Sequence, residues 1–135
     1  MQKPKSKYKI VMLIDDNEID NMINQKMLES ANFSEQYYVY TSGQSALDFL
    51  GNLVKQESAG ELLPDMILLD INMPLIDGFQ FLDRFSELNT SAKPNIDVFM
   101  LTTSINPSDK ERANENELIN KFLIKPLTLD QLEDL

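Results

Sequence analysis

The 135 residues contain no cysteine, no histidine and no tryptophan. Without cysteine there is no disulfide, no thiol nucleophile and no thiolate metal site. Without histidine there is no imidazole base and no histidine-bound zinc. No run of about 18 apolar residues occurs, so no transmembrane helix is expected. The first nine residues are basic and polar and lack the apolar stretch of a signal peptide, so they read as neither leader nor anchor. Positive charge is also scarce: 12 Lys and Arg stand against 22 Asp and Glu, for a net charge of −10. Lys3, Lys5, Lys7 and Lys9 all fall in that basic start, so the rest of the chain is more acidic still. Such a surface repels nucleic acid backbones, and direct nucleic acid binding is not expected. Residues 1–8 read as a flexible basic tail.

What is present suits one globular unit. Hydrophobic residues make up 42% and charged residues 25%, ordinary values for a domain of this length with a real core. Residues 9–135 are taken as that single domain, with no length left for an output domain. Short apolar runs recur. Residues 9–14 end at Asp15-Asp16, residues 66–69 run into Asp70, residues 98–101 end at Thr102, and residues 121–124 end at Lys125-Pro126. The aromatic and β-branched residues 37–41 supply one more strand. Between the strands lie helical stripes. Ile19, Met22, Ile23, Met27 and Leu28 form the first, expected to face the core. Ala46, Leu47, Leu50, Leu53 and Val54 follow a Ser42 cap. Phe81, Leu82, Phe85 and Leu88 form the third, over residues 78–88. Asn106-Pro107 opens a fourth, weak and polar helix to about residue 116. Thr128 to Gln131 is a capping-box pattern that opens a last helix. Residues 57–64 read as a polar connection and residues 89–95 as a loop. Strands that are apolar without alternation are buried on both faces, hence parallel. Right-handed crossovers then give an α/β doubly wound five-stranded sheet with five helices.

In a parallel sheet the carboxyl ends of all strands share one edge, where open α/β sheets bind ligands. That edge gathers Asp15, Asp16, Asp70, Thr102 and Lys125, each terminating an apolar run. Two carboxylates about 4 Å apart repel by roughly 4 kcal/mol at an effective dielectric near 20. Three together call for a cation or a protonated member. With oxygen ligands alone, Mg²⁺ or Mn²⁺ is the natural ion. It would leave one carboxylate free to attack phosphorus, with Lys125 and Thr102 placed for the phosphoryl oxygens. Asp16 to Asp20 superficially suggests a calcium loop, but its sixth position is Asn21 and its twelfth Met27, which excludes an EF-hand.

Leu13-Ile14-Asp15-Asp16, Leu69-Asp70-Ile71-Asn72-Met73-Pro74 with Asp77-Gly78, Met100-Leu101-Thr102 and Phe122-Leu123-Ile124-Lys125-Pro126 together resemble a response regulator receiver domain of the stand-alone, CheY-like kind. The resemblance spans about residues 8–135. It implies the flavodoxin/CheY-like strand order 2-1-3-4-5, with Asp70 as phospho-acceptor. It implies Asp15, Asp16, Asp70 and the Asn72 carbonyl as Mg²⁺ or Mn²⁺ ligands, Thr102 and Lys125 on the phosphoryl oxygens, and Thr102 with Phe122 as the switch pair. It also implies a cis Lys125-Pro126 bond. The donor would be a sensor histidine kinase or a histidine phosphotransfer protein, for which Asn17 and Asp20 are available as contacts. The reader would be a downstream protein docking on the fourth helix, fifth strand and last helix. The protein would be cytoplasmic, a monomer or weak dimer, and a signalling protein rather than an enzyme, its only chemistry being phosphoryl transfer to itself and autodephosphorylation. The chain departs from the family at residues 114–120, where small residues are usual, and at Thr103. Asn72 and Ser104 stand at positions that tune dephosphorylation. Two alternatives remain. A pseudo-receiver would be an interaction module without phosphorylation. A haloacid-dehalogenase-type phosphatase would need a second Asp where Asn72 stands.

Overall fold

The computed structural model describes residues 6–103 and 106–135. Lys3 and Lys5 of the basic start, and Ser104, lie outside the described residues. Five strands form one sheet in the order β2-β1-β3-β4-β5, and every neighbouring pair is parallel. The strands are β1 (Tyr8–Ile14), β2 (Ser34–Tyr40), β3 (Met66–Leu69), β4 (Asp97–Thr102) and β5 (Lys121–Ile124). Six helices among the described residues connect or follow them: α1 (Glu18–Ser30), α2 (Gly43–Leu53), α3 (Ala59–Leu62), α4 (Gly78–Phe85), α5 (Pro107–Glu115) and α6 (Leu129–Glu133). The helix beyond the five expected is α3, one turn inside the stretch read as a polar connection. Ala59 anchors it to the core.

Successive strand residues point to opposite faces, and here both faces are apolar. Met12, Ile14, Ile67, Leu69, Val98 and Met100 pack under Leu50 of α2 and Phe81 and Leu82 of α4. Val11, Leu13, Met66, Leu68, Phe99 and Leu101 pack under Leu28 of α1, Phe33 and Leu132 of α6. This double burial is why the strands carry no polar alternation. The sheet starts one residue earlier than expected. The Tyr8 hydroxyl donates to Asp97 Oδ2 at 2.8 Å, and the Asp65 carboxylate accepts from the Ile10 amide at 2.8 Å and from Lys93 Nζ at 2.5 Å.

Helix α1 is turned relative to its expected face. Ile19, Met22 and Ile23 are 62%, 51% and 48% exposed, whereas Asn21, Asn24 and Leu28 are buried. The cause is a demand for donors at the sheet edge. Asn21 Nδ2 donates to the carbonyls of Asp15 at 3.0 Å and Tyr40 at 3.1 Å, two strand-end acceptors at the sheet edge. Helical geometry then sends Asn24 and Leu28 inward with Asn21 and the apolar trio outward.

Candidate functional site

Backbone hydrogen bonds assemble the carboxyl edge. The Asp15 amide donates to the Tyr40 carbonyl at 3.1 Å, the Asp70 amide to Ile14 at 3.0 Å, and the Lys125 amide to Thr102 at 2.8 Å. These links carry the ladder one step past the strands and bring residues from the ends of β1, β3, β4 and β5 together. Asp15, Asp70 and Thr102 are buried, and Asp16 is exposed. Asn17, not Asp15 or Asp16, caps α1, accepting from the amides of Ile19 at 2.9 Å and Asp20 at 3.1 Å. Asp15 and Asp16 are thereby left to the edge. Asp15 Oδ1 accepts the Asn17 amide at 2.9 Å, which aims its other oxygen into the site.

Gly78 sets how closely α4 approaches Asp70. A Cβ on Gly78 would lie 2.6 Å from the Asp70 carbonyl oxygen and 3.0 Å from Ile71 Cα, so only glycine fits this crossing. Asp77 and Gln80 close the capping box at the start of α4. In the loop before it, Leu75 is 98% exposed with φ 69°, a left-handed conformation that disfavours leucine.

Asp15, Asp16 and Asp70 each offer a carboxylate oxygen within 4.8 Å of the others. Lys125, whose side chain is 12% exposed, faces them: its Nζ lies 2.6 Å from Asp15 Oδ2, 2.9 Å from Asp20 Oδ2 and 3.8 Å from Asp70 Oδ2. Burial pushes the Asp70 carboxyl up to about 6, and the Asp15 charge adds to the rise, with Lys125 and the Asn72 amide partly opposing it. Burial works against the Lys125 ammonium, but its bonds to Asp15 and Asp20 hold its pKa above the ordinary lysine value. A hard divalent cation suits this donor set. Three carboxylates converge, one of them kept from easy ionisation by the others and by burial, and every ligand atom is oxygen.

Thr102 is fully buried at the end of β4. Phe122 lies opposite Met100 in the β4–β5 register and is half-buried against the α2–α4 side of the core. Asn72 contributes its amide to Asp70. The Lys125-Pro126 bond is cis. Asp15, Asp16, Asp70, Thr102 and Lys125 therefore lie at this edge. Two further residues join them: Asp20, which bonds Lys125, and Asn21, which ties α1 to the edge.

The model for the response regulator receiver domain matches residues 11–135. The chain is 34% identical over 125 residues to the probable methanogenesis regulatory protein FilR2 of Methanothrix harundinacea, covering 92% of this chain and 76% of that one. A solved two-component response regulator from Cytophaga hutchinsonii superposes with a TM-score of 0.83 at 30% identity, over 95% of this chain and 93% of that one. The Mn²⁺-bound form of response regulator Rcp1 superposes with a TM-score of 0.69 at 28% identity, over 93% and 87% of the two chains.

Proposed function

Because the chain belongs to the response regulator receiver domain family, we propose that it is a phosphorylatable switch of two-component signalling, accepting a phosphoryl group on Asp70 from a phospho-histidine donor. The observation that carries this reading is the meeting of three carboxylates with one ammonium. Asp70 lies buried within reach of Asp15 and Asp16, and Lys125 stands 3.8 Å from its Oδ2. Residues 9–135, with Tyr8 of β1 joined to them, form the receiver unit in this reading.

An Asp70 carboxylate oxygen attacks phosphorus in line. An O–P bond forms, the P–N bond to the donor imidazole breaks, and the electron pair leaves with the imidazole, which is protonated from solvent. Lys125 pairs with a phosphoryl oxygen, and the Thr102 hydroxyl donates to the same group. When bound by Asp15, Asp16, Asp70 and the Asn72 carbonyl, Mg²⁺ or Mn²⁺ neutralises carboxylate and phosphoryl charge; the Mn²⁺-bound Rcp1 structure supports an ion of this class. Water later hydrolyses the acyl phosphate. Thr102 drawn toward the phosphoryl group vacates space for the Phe122 ring, and the surface of α5, β5 and α6 changes for a partner to read.

The exposed Ile19, Met22 and Ile23 of α1 give a helical donor an apolar face next to the acidic edge, as a sensor histidine kinase or histidine phosphotransfer protein would require. No helix among the described residues is long and apolar enough to cross a membrane, and a phosphoryl donor charged from ATP fits a cytoplasmic protein.

Intact-protein mass spectrometry after incubation with acetyl phosphate tests the reading. One phosphoryl adduct is expected in Mg²⁺, none in excess EDTA, and none in Asp70→Ala. Full labelling of Asp70→Ala at the same stoichiometry would refute the acceptor assignment. A folded wild-type protein that neither labels nor binds beryllofluoride would instead be a pseudo-receiver.

A further inference from the structure

Lys125 is held by a carboxylate that belongs to neither the acidic triad nor the strand ends. Asp20 lies in the first turn of α1, outside the group of Asp15, Asp16 and Asp70, and its side chain is 35% exposed. Its Oδ2 accepts from Lys125 Nζ at 2.9 Å across 105 residues of sequence. We infer that Asp20 is a positioning residue for phosphoryl transfer, which keeps the Lys125 ammonium over Asp70 when Asp15 is engaged elsewhere.

The inference rests on the function proposed above, and the argument starts from what a lysine can do. Its ammonium has three donors on a flexible four-carbon stem, so it stays at a site only if acceptors fix it there. Two acceptors do so here, Asp15 at 2.6 Å and Asp20 at 2.9 Å, while Asp70 stands further off at 3.8 Å. Once Asp15 shares its charge with a divalent ion, its hold on Lys125 weakens. Asp20 is then the remaining fixed acceptor, and its charge-assisted bond leaves the other N–H groups directed at Asp70 and an incoming phosphoryl oxygen. The backbone of Asp20 is itself fixed, because its amide donates to the Asn17 cap at 3.1 Å. A carboxylate in the first turn is also favoured by the helix dipole.

A different role for the same carboxylate would be repulsion of the anionic donor, and two variants separate the roles. Asp20→Asn keeps an acceptor and removes the charge; Asp20→Ala removes both. Positioning predicts that Asp20→Ala slows Mg²⁺-dependent labelling of Asp70 by acetyl phosphate about tenfold or more, the scale on which losing a partner that orients a site group costs activity, while Asp20→Asn recovers most of the loss. In a Lys125→Ala background Asp20→Ala should change the rate no further. Repulsion predicts that both variants label faster than wild type, and that result would overturn the inference.

A second readout needs no phosphoryl donor. With saturating Mg²⁺ to engage Asp15, the ¹⁵N-labelled Lys125 ammonium should give a slowly exchanging NMR signal at neutral pH in the wild-type protein. Under the same conditions the signal should be kept in Asp20→Asn and lost to exchange in Asp20→Ala. An unchanged signal in Asp20→Ala would overturn the inference even if wild type labels normally. Loss of the signal in a protein that never labels would uphold the Lys125 contact while removing the proposed function.

Discussion

Replacing Asp70 with asparagine should stabilise the metal-free protein at neutral pH. Burial and the Asp15 charge raise the Asp70 carboxyl from 3.8 to about 6. At about 1.4 kcal/mol for each tenfold change in proton affinity, an ionised Asp70 costs the native state about 3 kcal/mol relative to the unfolded chain. The sign follows from where the protons sit. Between the unfolded and folded values the native state binds more protons, so stability falls as pH rises through the window from about 4 to about 6. Below it both states are protonated and the penalty is absent; above it the penalty is complete. Asparagine keeps the shape without the charge, although its amide finds imperfect partners there. Asp70→Asn is therefore expected to be about 1–3 kcal/mol more stable than wild type at pH 7.5 in EDTA, and to match it near pH 4. That is a visible fraction of the 5–15 kcal/mol typical of a domain. The chain has no tryptophan, so urea unfolding followed by circular dichroism is the assay. A difference that does not vary with pH, or an Asp70→Asn protein less stable than wild type at pH 7.5, would refute the reasoning.

The other predictions concern the same edge. Asp16→Ala removes one of the three converging carboxylates from an exposed position; calorimetric titration should show Mg²⁺ affinity reduced at least about tenfold, with urea stability in EDTA unchanged or improved. Gly78→Ala places a methyl 2.6 Å from the Asp70 carbonyl oxygen; a loss of about 1–3 kcal/mol and a slower rate of acetyl phosphate labelling are expected, and full stability would show that α4 yields more easily than its contacts imply. Leu75→Asn relieves a left-handed φ at a side chain 98% exposed; thermal unfolding should show a gain of about 0.5–1 kcal/mol, and a loss would mean that Leu75 makes a contact its exposure does not suggest.

The central strands β1, β3 and β4 were legible because each is an apolar run with a polar terminator. Both of their faces are buried, so these runs have no internal alternation to blur them. The gathering of polar residues at the carboxyl edge was legible for a similar reason, since Asp15, Asp70, Thr102 and Lys125 each end an apolar run. Helix α1 misled because hydrophobic spacing assumes that apolar residues face the core. Here Asn21 is drawn inward by the carbonyls of Asp15 and Tyr40, a demand created by tertiary structure and invisible in local spacing. Helix α3 escaped notice because four residues, Ala59–Leu62, are too few to establish a period. Strand β2 starts at Ser34, earlier than its aromatic stretch, where pairing with β1 outweighs the low strand propensity of Ser34, Glu35 and Gln36. Asp20 could not be read as a site residue, because its partner lies 105 positions away and a first-turn aspartate has an ordinary explanation in the helix dipole.

The central claim is that a covalent bond forms between phosphorus and the side chain of Asp70. Borohydride reduction after incubation with acetyl phosphate and Mg²⁺ tests it most directly, because an acyl phosphate is reduced to the alcohol at the residue that carried it. Tandem mass spectrometry of the digested protein should find homoserine at position 70, only in the Mg²⁺ sample. Reduction at Asp15 or Asp16, or a phosphoryl adduct that borohydride leaves untouched, would contradict the account.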